Sequence, residues 1–276
     1  IIIMSKALAL TKTKAIPMIT AIFTVTITVT AMITTTATIM ATIPIPTPIT
    51  RSAPLPWNLR RTTLTKSMSA YIRDPKEIYR RSFAIVREET MLDDLPPEMA
   101  EVTIRLVHSC GMPEIIPDLS WSPDLVAAAK QALLAGKPIV TDVRMTEVGI
   151  IRNRLTNNNP VHCAIGDPDA ATIAQERGTT RSAVAIENLA SEWNGGVVAI
   201  GSAPTALFRV LELIAKGVAR PAAILGFPVG FVGAAESKEA LIADNLGVPY
   251  LTLRGRRGGS ALAAAAVNAL SGPLEG

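Results

Sequence analysis

Five short apolar runs, most of them separated by helical patterns, constrain the fold of this chain more than any other feature. The runs occupy residues 138–143, 160–165, 197–201, 222–230 and 249–255. Helical patterns occupy residues 75–90, 96–109, 122–135, 179–193, 204–216, 236–247 and 259–271. Apolar strands that alternate with helices are typical of a parallel sheet covered on both faces. We therefore predict an α/β protein with a mostly parallel, five-stranded sheet.

Residues 1–67 differ sharply from the rest of the chain. Ile, Thr, Ala and Met dominate them, as in AIFTVTITVTAMITTTATIM, and all 18 glycines of the chain lie at or beyond position 111. The uncharged stretch at 15–50 admits a membrane span, although its many threonines argue against one. A transit-like peptide is a second interpretation. We favour a third, in which residues 1–67 are a low-complexity leader, disordered or non-native, and residues 68–276 form the functional domain.

The charge of the chain is unevenly distributed. Its net charge is +4, but residues 1–70 hold seven basic residues and no acidic one, so the remainder is mildly acidic. An acidic body provides no composition-based case for a nucleic-acid surface. The two cysteines, Cys110 and Cys163, are too few for a disulfide framework, and no Cys/His cluster suggests zinc. We expect a cytoplasmic protein that binds neither nucleic acid nor a membrane.

Three strand-to-helix junctions carry glycine and polar residues, at the place where ligands of parallel sheets bind. In IGSAP (200–204) a proline occupies a first helical position, where free N–H groups favour an anion. GFPVGFVGAAESK (226–238) ends in Lys238, and RGRRGGS (254–260) holds three arginines, a residue type suited to carboxylates. None of the junctions fits a Walker A or a dinucleotide-binding pattern. Together they indicate a ligand with several negative groups, or one large anion.

The chain contains only two histidines. His162 lies inside the apolar run PVHCAI (160–165), where we expect a strand residue that faces a partner. His108 ends the helical pattern PEMAEVTIRLVHSCG (97–111), just before the first glycine of the chain. A histidine at a helix C-terminus is either a favourable capping charge or a functional group. No second histidine or acidic cluster near it supports a metal, and no G-x-S-x-G elbow suggests a hydrolase.

Six stretches of the chain are long and idiosyncratic. They read YIRDPKEIYRRSFAIVREE, RLVHSCG, TRSAVAI, VVAIGSAPTALFRVLE, PAAILGFPVGFVGAAESKEAL and GVPYLTLRGRRGGSALAAAAVNAL. In this order, over roughly residues 70–272, they resemble the precorrin-8X methylmutases of cobalamin biosynthesis. The resemblance implies a three-layer α/β/α fold and an isomerase that moves a methyl group from C-11 to C-12 of precorrin-8X, giving hydrogenobyrinic acid. It also implies no redox cofactor, no metal, and a homodimer or other homo-oligomer.

The same resemblance assigns roles to individual residues. It implies that His108, in HSCG, is catalytic, and that Ser82, in YRRSF, and Arg181, in TRSA, contact the substrate. Histidine titrates near neutrality, so it can give and take the proton that a reactive tautomer of the macrocycle requires. Weaker candidates for binding the carboxylates of the substrate are Arg73, Lys238 and Arg254, because an exposed salt bridge explains each of them equally well.

Three alternatives remain open at this point. A corrinoid-binding carrier without turnover would keep the anchoring arginine and serine but would not need His108. The same rearrangement could act on a cobalt-loaded ring, cobalt-precorrin-8. A membrane-attached structural protein rests only on residues 15–50.

Overall fold

The sheet at the centre of the computed structural model is built from the apolar runs. The structure describes residues 71–243 and 246–272, so the interpretations of residues 1–67 lie outside it. Within the described residues the strands are β1 Leu119–Trp121, β2 Ile139–Thr141, β3 Val161–His162, β4 Val197–Ile200, β5 Ala223–Gly226 and β6 Tyr250–Leu253. Every residue of β2, β4 and β5 is buried, as expected for strands that helices cover on both faces.

The strands are arranged in the order β1-β6-β5-β4-β2-β3, and all neighbours run parallel except β1 and β6. The five predicted strands and the mostly parallel sheet are confirmed, but the predicted strand number is one too low. The additional strand, β1, pairs antiparallel with β6, and its Leu119 lies opposite Leu253. Three residues are too few to show a periodicity, so β1 is defined only by the strand that it pairs with.

Seven of the nine helices in the described residues follow a predicted pattern. The helices are α1 Pro75–Glu89, α2 Pro97–Cys110, α3 Leu125–Leu134, α4 Arg144–Gly149, α5 Pro168–Arg177, α6 Arg181–Asn188, α7 Pro204–Ala215, α8 Ala234–Ala243 and α9 Ser260–Leu270. The two without a predicted counterpart are α4, which spans under two turns, and α5. Helix α5 ends before Gly178, whose φ of 62° is left-handed, and Thr180 is the N-cap of α6. None of these helices is long and apolar enough to cross a membrane.

The helices form two layers, one on each face of the sheet. Side chains of α1, α2, α3 and α9 share one core with strand residues that include Ala199 and Leu225. Side chains of α6, α7 and α8 share a second core with the adjacent strand residues Val198 and Ile224. Successive residues of a strand point to opposite faces, so the same strands serve both cores. The predicted three-layer α/β/α arrangement is confirmed.

A buried carboxylate lies between the ends of β2 and β4, where the strand order reverses. Asp142, directly after β2, is 1% exposed and accepts hydrogen bonds from the backbone N–H groups of Gly201, Ser202 and Ala203 at 2.8, 2.9 and 2.8 Å. The sequence predicts that the N–H groups before α7 bind an anion. In the structure the group that they bind is the side chain of Asp142. Burial raises the pKa of the Asp142 carboxyl, and the three N–H groups oppose that rise.

We expect Asp142→Asn to lower the free energy of unfolding by about 2–4 kcal/mol, because an amide replaces one acceptor oxygen with a donor that faces other donors. Urea unfolding followed by circular dichroism measures the change. The matched control is Asp167→Asn, since Asp167 caps α5 by accepting one backbone N–H, from Asp169 at 3.0 Å, and Asn caps nearly as well. Its second oxygen accepts only a longer bond, from Nδ2 of Asn188 at 3.4 Å. Equal stability of the wild type and Asp142→Asn would contradict the role of this carboxylate.

Candidate active site

Helix α1 presents Ser82 to the neighbouring helix α2. Its N-terminus is capped by Asp74, whose carboxylate accepts a hydrogen bond from the N–H of Lys76 at 3.2 Å. Phe83 and Val86 anchor α1 in the core that it shares with α2. Ser82 immediately precedes Phe83 and is half-buried, so its hydroxyl lies at the border between the core and the surface.

Helix α2 carries His108 in its last turn. The residues from Val102 to Val107 are all buried, and His108 is the first half-buried position after them. Gly111 then ends the helix with a φ of 68°, and its N–H donates to the carbonyl of Val107 at 2.7 Å. Because the chain turns away at this glycine, the imidazole lies at the end of the helix and not inside the core.

The hydroxyl of Ser82 and the imidazole of His108 form a hydrogen bond, with 2.7 Å between Oγ and Nδ1. The ring of Phe83 meets the imidazole edge-on, with centroids 4.9 Å apart, and the ring of Tyr79 lies 5.5 Å away. Within the described residues, Nε2 of His108 has no hydrogen-bond partner. Nε2 is therefore an acceptor when Nδ1 donates to Ser82, and a donor when Ser82 donates to Nδ1.

The surroundings of this histidine–serine pair favour a neutral imidazole. Burial lowers the pKa of His108, and the positive charge of Arg105, one turn earlier on α2, lowers it further. Arg105 is only 6% exposed, and its guanidinium lies 5.6 Å from the centroid of the Phe83 ring. A pKa below the ordinary 6.5 leaves the ring uncharged at neutral pH, which is the form that can accept a proton.

An open groove of about 460 Å³ leads to the histidine–serine pair. Most of its wall is apolar and comes from Ile72, Ile78, Ile85, Val86, Val107 and Pro113. Arg81 and Glu89 add charged groups to the same groove. A wall of this kind fits a ligand with a large apolar body and a few polar groups. A larger groove of about 640 Å³, between α2, α3 and the end of α9, contains neither residue of the pair.

The pair lies toward the carboxyl ends of the parallel strands. From α2 the chain passes through a 3-10 turn, Pro113–Asp118, into β1. The first residue of β1, Leu119, is opposite the last residue of β6, Leu253. The entry to β1 is therefore at the carboxyl ends of the parallel strands, where ligands of α/β sheets bind.

Two other predicted residues are exposed and separate from the pair. Arg181 is the first residue of α6, which packs on the opposite face of the sheet. Arg73 precedes α1, and its guanidinium lies 5.2 Å from the ring centroid of Tyr71. In the part of the chain that the structure describes, no hydrogen bond joins either arginine to the pair.

The remaining predicted residues have partners within the chain. Lys238, on α8, is fully buried, and its Nζ donates to the backbone carbonyl of Arg257 at 2.6 Å. Burial, and secondly the charge of Arg257, lower the pKa of Lys238 to about 8. Arg254 pairs with Glu239, with Nη1 at 3.0 and 2.7 Å from the two carboxylate oxygens. The structure thus brings together Ser82 and His108, but none of the four basic candidates bonds to them.

Two residues that shape this region, Arg105 and Asp142, are not among the predicted site residues. Arg105 precedes His108 by three positions on one helix, and this spacing could have revealed a cation on the same face. Asp142 follows a buried strand, a common place for functional polar groups in α/β proteins. Its partner Gly201 is 59 positions away, so no local pattern identifies the contact.

The second histidine lies away from the pair. His162 is on the edge strand β3, and its Nε2 is 3.8 Å from a carboxylate oxygen of Glu192. Among residues 71–243 and 246–272, no group of three or more His, Cys, Asp or Glu side chains is arranged to hold a metal ion.

An α/β/α sandwich with a histidine–serine pair in a groove at the strand edge has the form of an enzyme, and comparison with known proteins identifies the family. Residues 77–272 match the family model of precorrin-8X methylmutase. The chain is 52% identical over 204 residues to the precorrin-8X methylmutase of Pseudomonas aeruginosa, which covers 74% of this chain and 98% of that relative. It is 40% identical over 196 residues to the cobalt-precorrin-8 methylmutase of Methanothermobacter thermautotrophicus, covering 70% and 91%.

A solved structure agrees with these sequence matches. The precorrin-8X methyl mutase of Thermus thermophilus superposes with a TM-score of 0.65 at 35% identity, covering 71% of this chain and 94% of that one. The chain therefore belongs to the precorrin-8X methylmutase family and is an isomerase of the methylmutase type. The resemblance that the six sequence stretches indicate is confirmed.

We expect the imidazole of His108 to titrate below pH 6.5 in the folded protein, because burial and Arg105 both disfavour the imidazolium. A pH titration of the imidazole proton signals by NMR measures this pKa. The chain has only two histidines, so His162→Gln assigns the remaining signal to His108. By linkage, the unfolded chain takes up a proton that the folded chain does not, so stability falls as the pH drops below 6.5 toward the folded pKa. A His108 pKa of 6.5 or above would contradict this description of the site.

Proposed function

We propose that this chain converts precorrin-8X into hydrogenobyrinic acid by moving a methyl group from C-11 to C-12 of the macrocycle. The observation that carries the proposal is the 2.7 Å hydrogen bond between Ser82 and His108 in an apolar groove at the strand edge. Membership of the precorrin-8X methylmutase family supports the same reaction. Such a migration is an isomerisation, so it needs a group that places and removes protons more than it needs a nucleophile.

In this proposal His108 is the general acid–base. Its Nε2 exchanges a proton with a ring position of the macrocycle and so selects the tautomer in which the methyl group migrates. Substrate and product are isomers, so a proton that His108 gives or takes is restored before the next turnover. Ser82 holds Nδ1 and thereby sets the orientation of the imidazole, and its hydroxyl can donate to or accept from Nδ1 as the proton on Nε2 is gained or lost. The lowered pKa of His108 keeps the ring uncharged and ready to accept a proton at neutral pH.

The acetate and propionate arms of the macrocycle require cationic partners. We propose that Arg181 binds one of them, because it is exposed and its guanidinium fork suits a carboxylate. Arg73 is also exposed and could bind another. Arg254 would first have to leave Glu239. Lys238 is buried beneath Arg257, so we propose that it supports this region rather than reaching a carboxylate directly.

We take the metal-free ring as the substrate. The relative at 52% identity is named precorrin-8X methylmutase, whereas the relative at 40% is named cobalt-precorrin-8 methylmutase. The cobalt-loaded ring is the alternative, with the same rearrangement and the same residues. A carrier without turnover is the second alternative, and it differs by making no use of His108.

We expect the wild type to convert precorrin-8X, and His108→Asn to reduce turnover at least about 100-fold, because the variant cannot exchange a proton. Ser82→Ala should reduce turnover about tenfold, since it removes one hydrogen bond but leaves the imidazole in place. The visible spectrum of hydrogenobyrinic acid reports the product. His162→Asn is the matched control and should retain wild-type turnover.

The same assay separates the alternatives. Undiminished turnover in a folded His108→Asn variant would refute the proposed role of this residue. Binding of the macrocycle without any conversion by the wild type would favour the carrier. Metal-free and cobalt-loaded rings are supplied side by side, and faster conversion of the metal-free ring is the expected result.

We further propose that the protein is a cytoplasmic homodimer whose sites lie near the contact between subunits. The apolar side chains of Ile78, Tyr79 and Ile85 on α1 are 45%, 46% and 50% exposed, and surfaces of this kind are typical of interfaces. Cys110 and Cys163 are both free thiols, as suits a reducing compartment. Arg181 and the histidine–serine pair lie in opposite helix layers of one chain, so a second subunit could complete the site.

We expect His108→Asn and Arg181→Ala, each poorly active alone, to recover about one quarter of wild-type activity when they are refolded together. In a two-fold dimer with shared sites, half of the dimers are mixed and one of their two sites is intact. Turnover of the refolded mixture, with light scattering for the mass, measures this recovery. No recovery in a proven dimer would show that each site lies within one chain.

A further inference from the structure

The loop after β6 carries Arg254, Arg256 and Arg257, and two of these guanidinium groups are already engaged. Arg254 pairs with Glu239 on α8. Arg257 pairs with Asp118 at the end of the 3-10 turn that follows α2. Arg256 is exposed and has no ion pair among residues 71–243 and 246–272. Of the three arginines, Arg256 is therefore the one available to an external carboxylate.

Hydrogen bonds from Lys238 and Gly230 fix the backbone around Arg256. The buried ammonium of Lys238 donates to the carbonyl of Arg257 at 2.6 Å, and the N–H of Gly230 donates to the carbonyl of Arg256 at 3.2 Å. A Cβ added at Gly258 would overlap the carbonyls of Phe227 and Pro228, so the loops after β5 and β6 pack directly on each other. An exposed cation on a backbone fixed in this way is preorganised for binding.

The loop after β5 places an apolar surface beside this cation. Phe231 and Val232 are 84% and 88% exposed, far more than apolar side chains of this size usually are. The guanidinium of Arg256 lies over the Phe231 ring, 5.4 Å from its centroid. Gly230 and Gly233 flank the two residues with φ values of 145° and 79°, which favour glycine.

The location of this surface connects it to the candidate active site. It follows β5 and β6, at the carboxyl ends of the parallel strands, where α/β proteins bind ligands. Arg257 joins its loop to Asp118 and to the carbonyl of Glu114 at 3.4 Å, in the segment that continues from α2 and His108. Arg256, Phe231 and the histidine–serine pair are thus on connected segments at the carboxyl ends of the parallel strands.

We propose that Arg256 and Phe231 form a further substrate-binding element, in which Arg256 binds a carboxylate arm of the macrocycle and Phe231 packs on its apolar face. The inference rests on the proposed function, since it assumes a large apolar ring that bears carboxylates. A bare anion would not need the exposed phenyl ring, and an uncharged apolar ligand would not need the arginine. The combination fits the chemistry of a tetrapyrrole acid.

The test uses the full-length protein with Arg256→Gln, Arg256→Lys and Phe231→Ala, and with Arg177→Gln as the matched control. Arg177 is an exposed arginine at the end of α5, paired with Glu187. The measurements are KM and kcat for precorrin-8X and the Kd for hydrogenobyrinic acid from its visible spectrum. We expect Arg256→Gln to raise KM and Kd about 3- to 10-fold with little change in kcat. Arg256→Lys should recover part of the loss, and Arg177→Gln should match the wild type.

Phe231→Ala should also raise KM and Kd about 3- to 10-fold, through lost apolar contact. Higher salt should weaken binding to the wild type more than binding to Arg256→Gln, because the variant lacks the charge. Unchanged KM and Kd in both variants would overturn the inference, as would a change in oligomeric state that accounts for the loss. Failure of the wild type to bind or convert the macrocycle would instead refute the proposed function, so the two failures are distinguishable.

Discussion

The carboxylate of Asp142 satisfies the N–H groups at the point where the strand order reverses and ties β2 to the loop before α7. In open α/β folds the crevice at the reversal of strand order is the usual ligand site, because free N–H groups converge there. Here Asp142 accepts three of those N–H groups, and a side chain at Gly201 would lie 2.7 Å from Cα of Ser260. The crevice is therefore filled by the protein itself. The groove beside α1 and α2 and the loops after β5 and β6 lie farther along the same ends of the strands.

The candidate site combines an apolar wall with one titratable group whose charge is suppressed. His108 lies at the end of α2, where it is buried enough to lose solvation yet still borders an open groove. The positive charge of Arg105 disfavours the imidazolium form of His108, and Ser82 bonds to Nδ1 of the ring. In the proposed isomerisation, this neutral and oriented imidazole is the group that exchanges the proton. The remaining requirement is to hold the ring in place, which calls for cations at the carboxylate arms.

The sequence predicts the strands and helices well wherever a run is long enough to show a period. It fails for β1 and α4, which are three and six residues long, and for α5, whose ten residues show only a weak amphipathic pattern. Ser82 and His108 are recognisable from their motifs, but they are 26 positions apart and only the packing of α1 on α2 joins them. The basic residues illustrate the limit most clearly. Lys238, Arg254 and Arg256 look alike as exposed cations in sequence, yet the first is fully buried and the second is paired.

The sequence by itself determined the α/β class, most of the element boundaries and the family, because periodicity and local motifs depend on residues close together in the chain. The tertiary structure alone decided which polar groups satisfy one another. Asp142 meets Gly201 from 59 positions away, and Arg257 meets Asp118 from 139. Such contacts depend on how distant strands and helices stack around the two cores, and the free energy of a buried charge depends on what that stacking brings beside it.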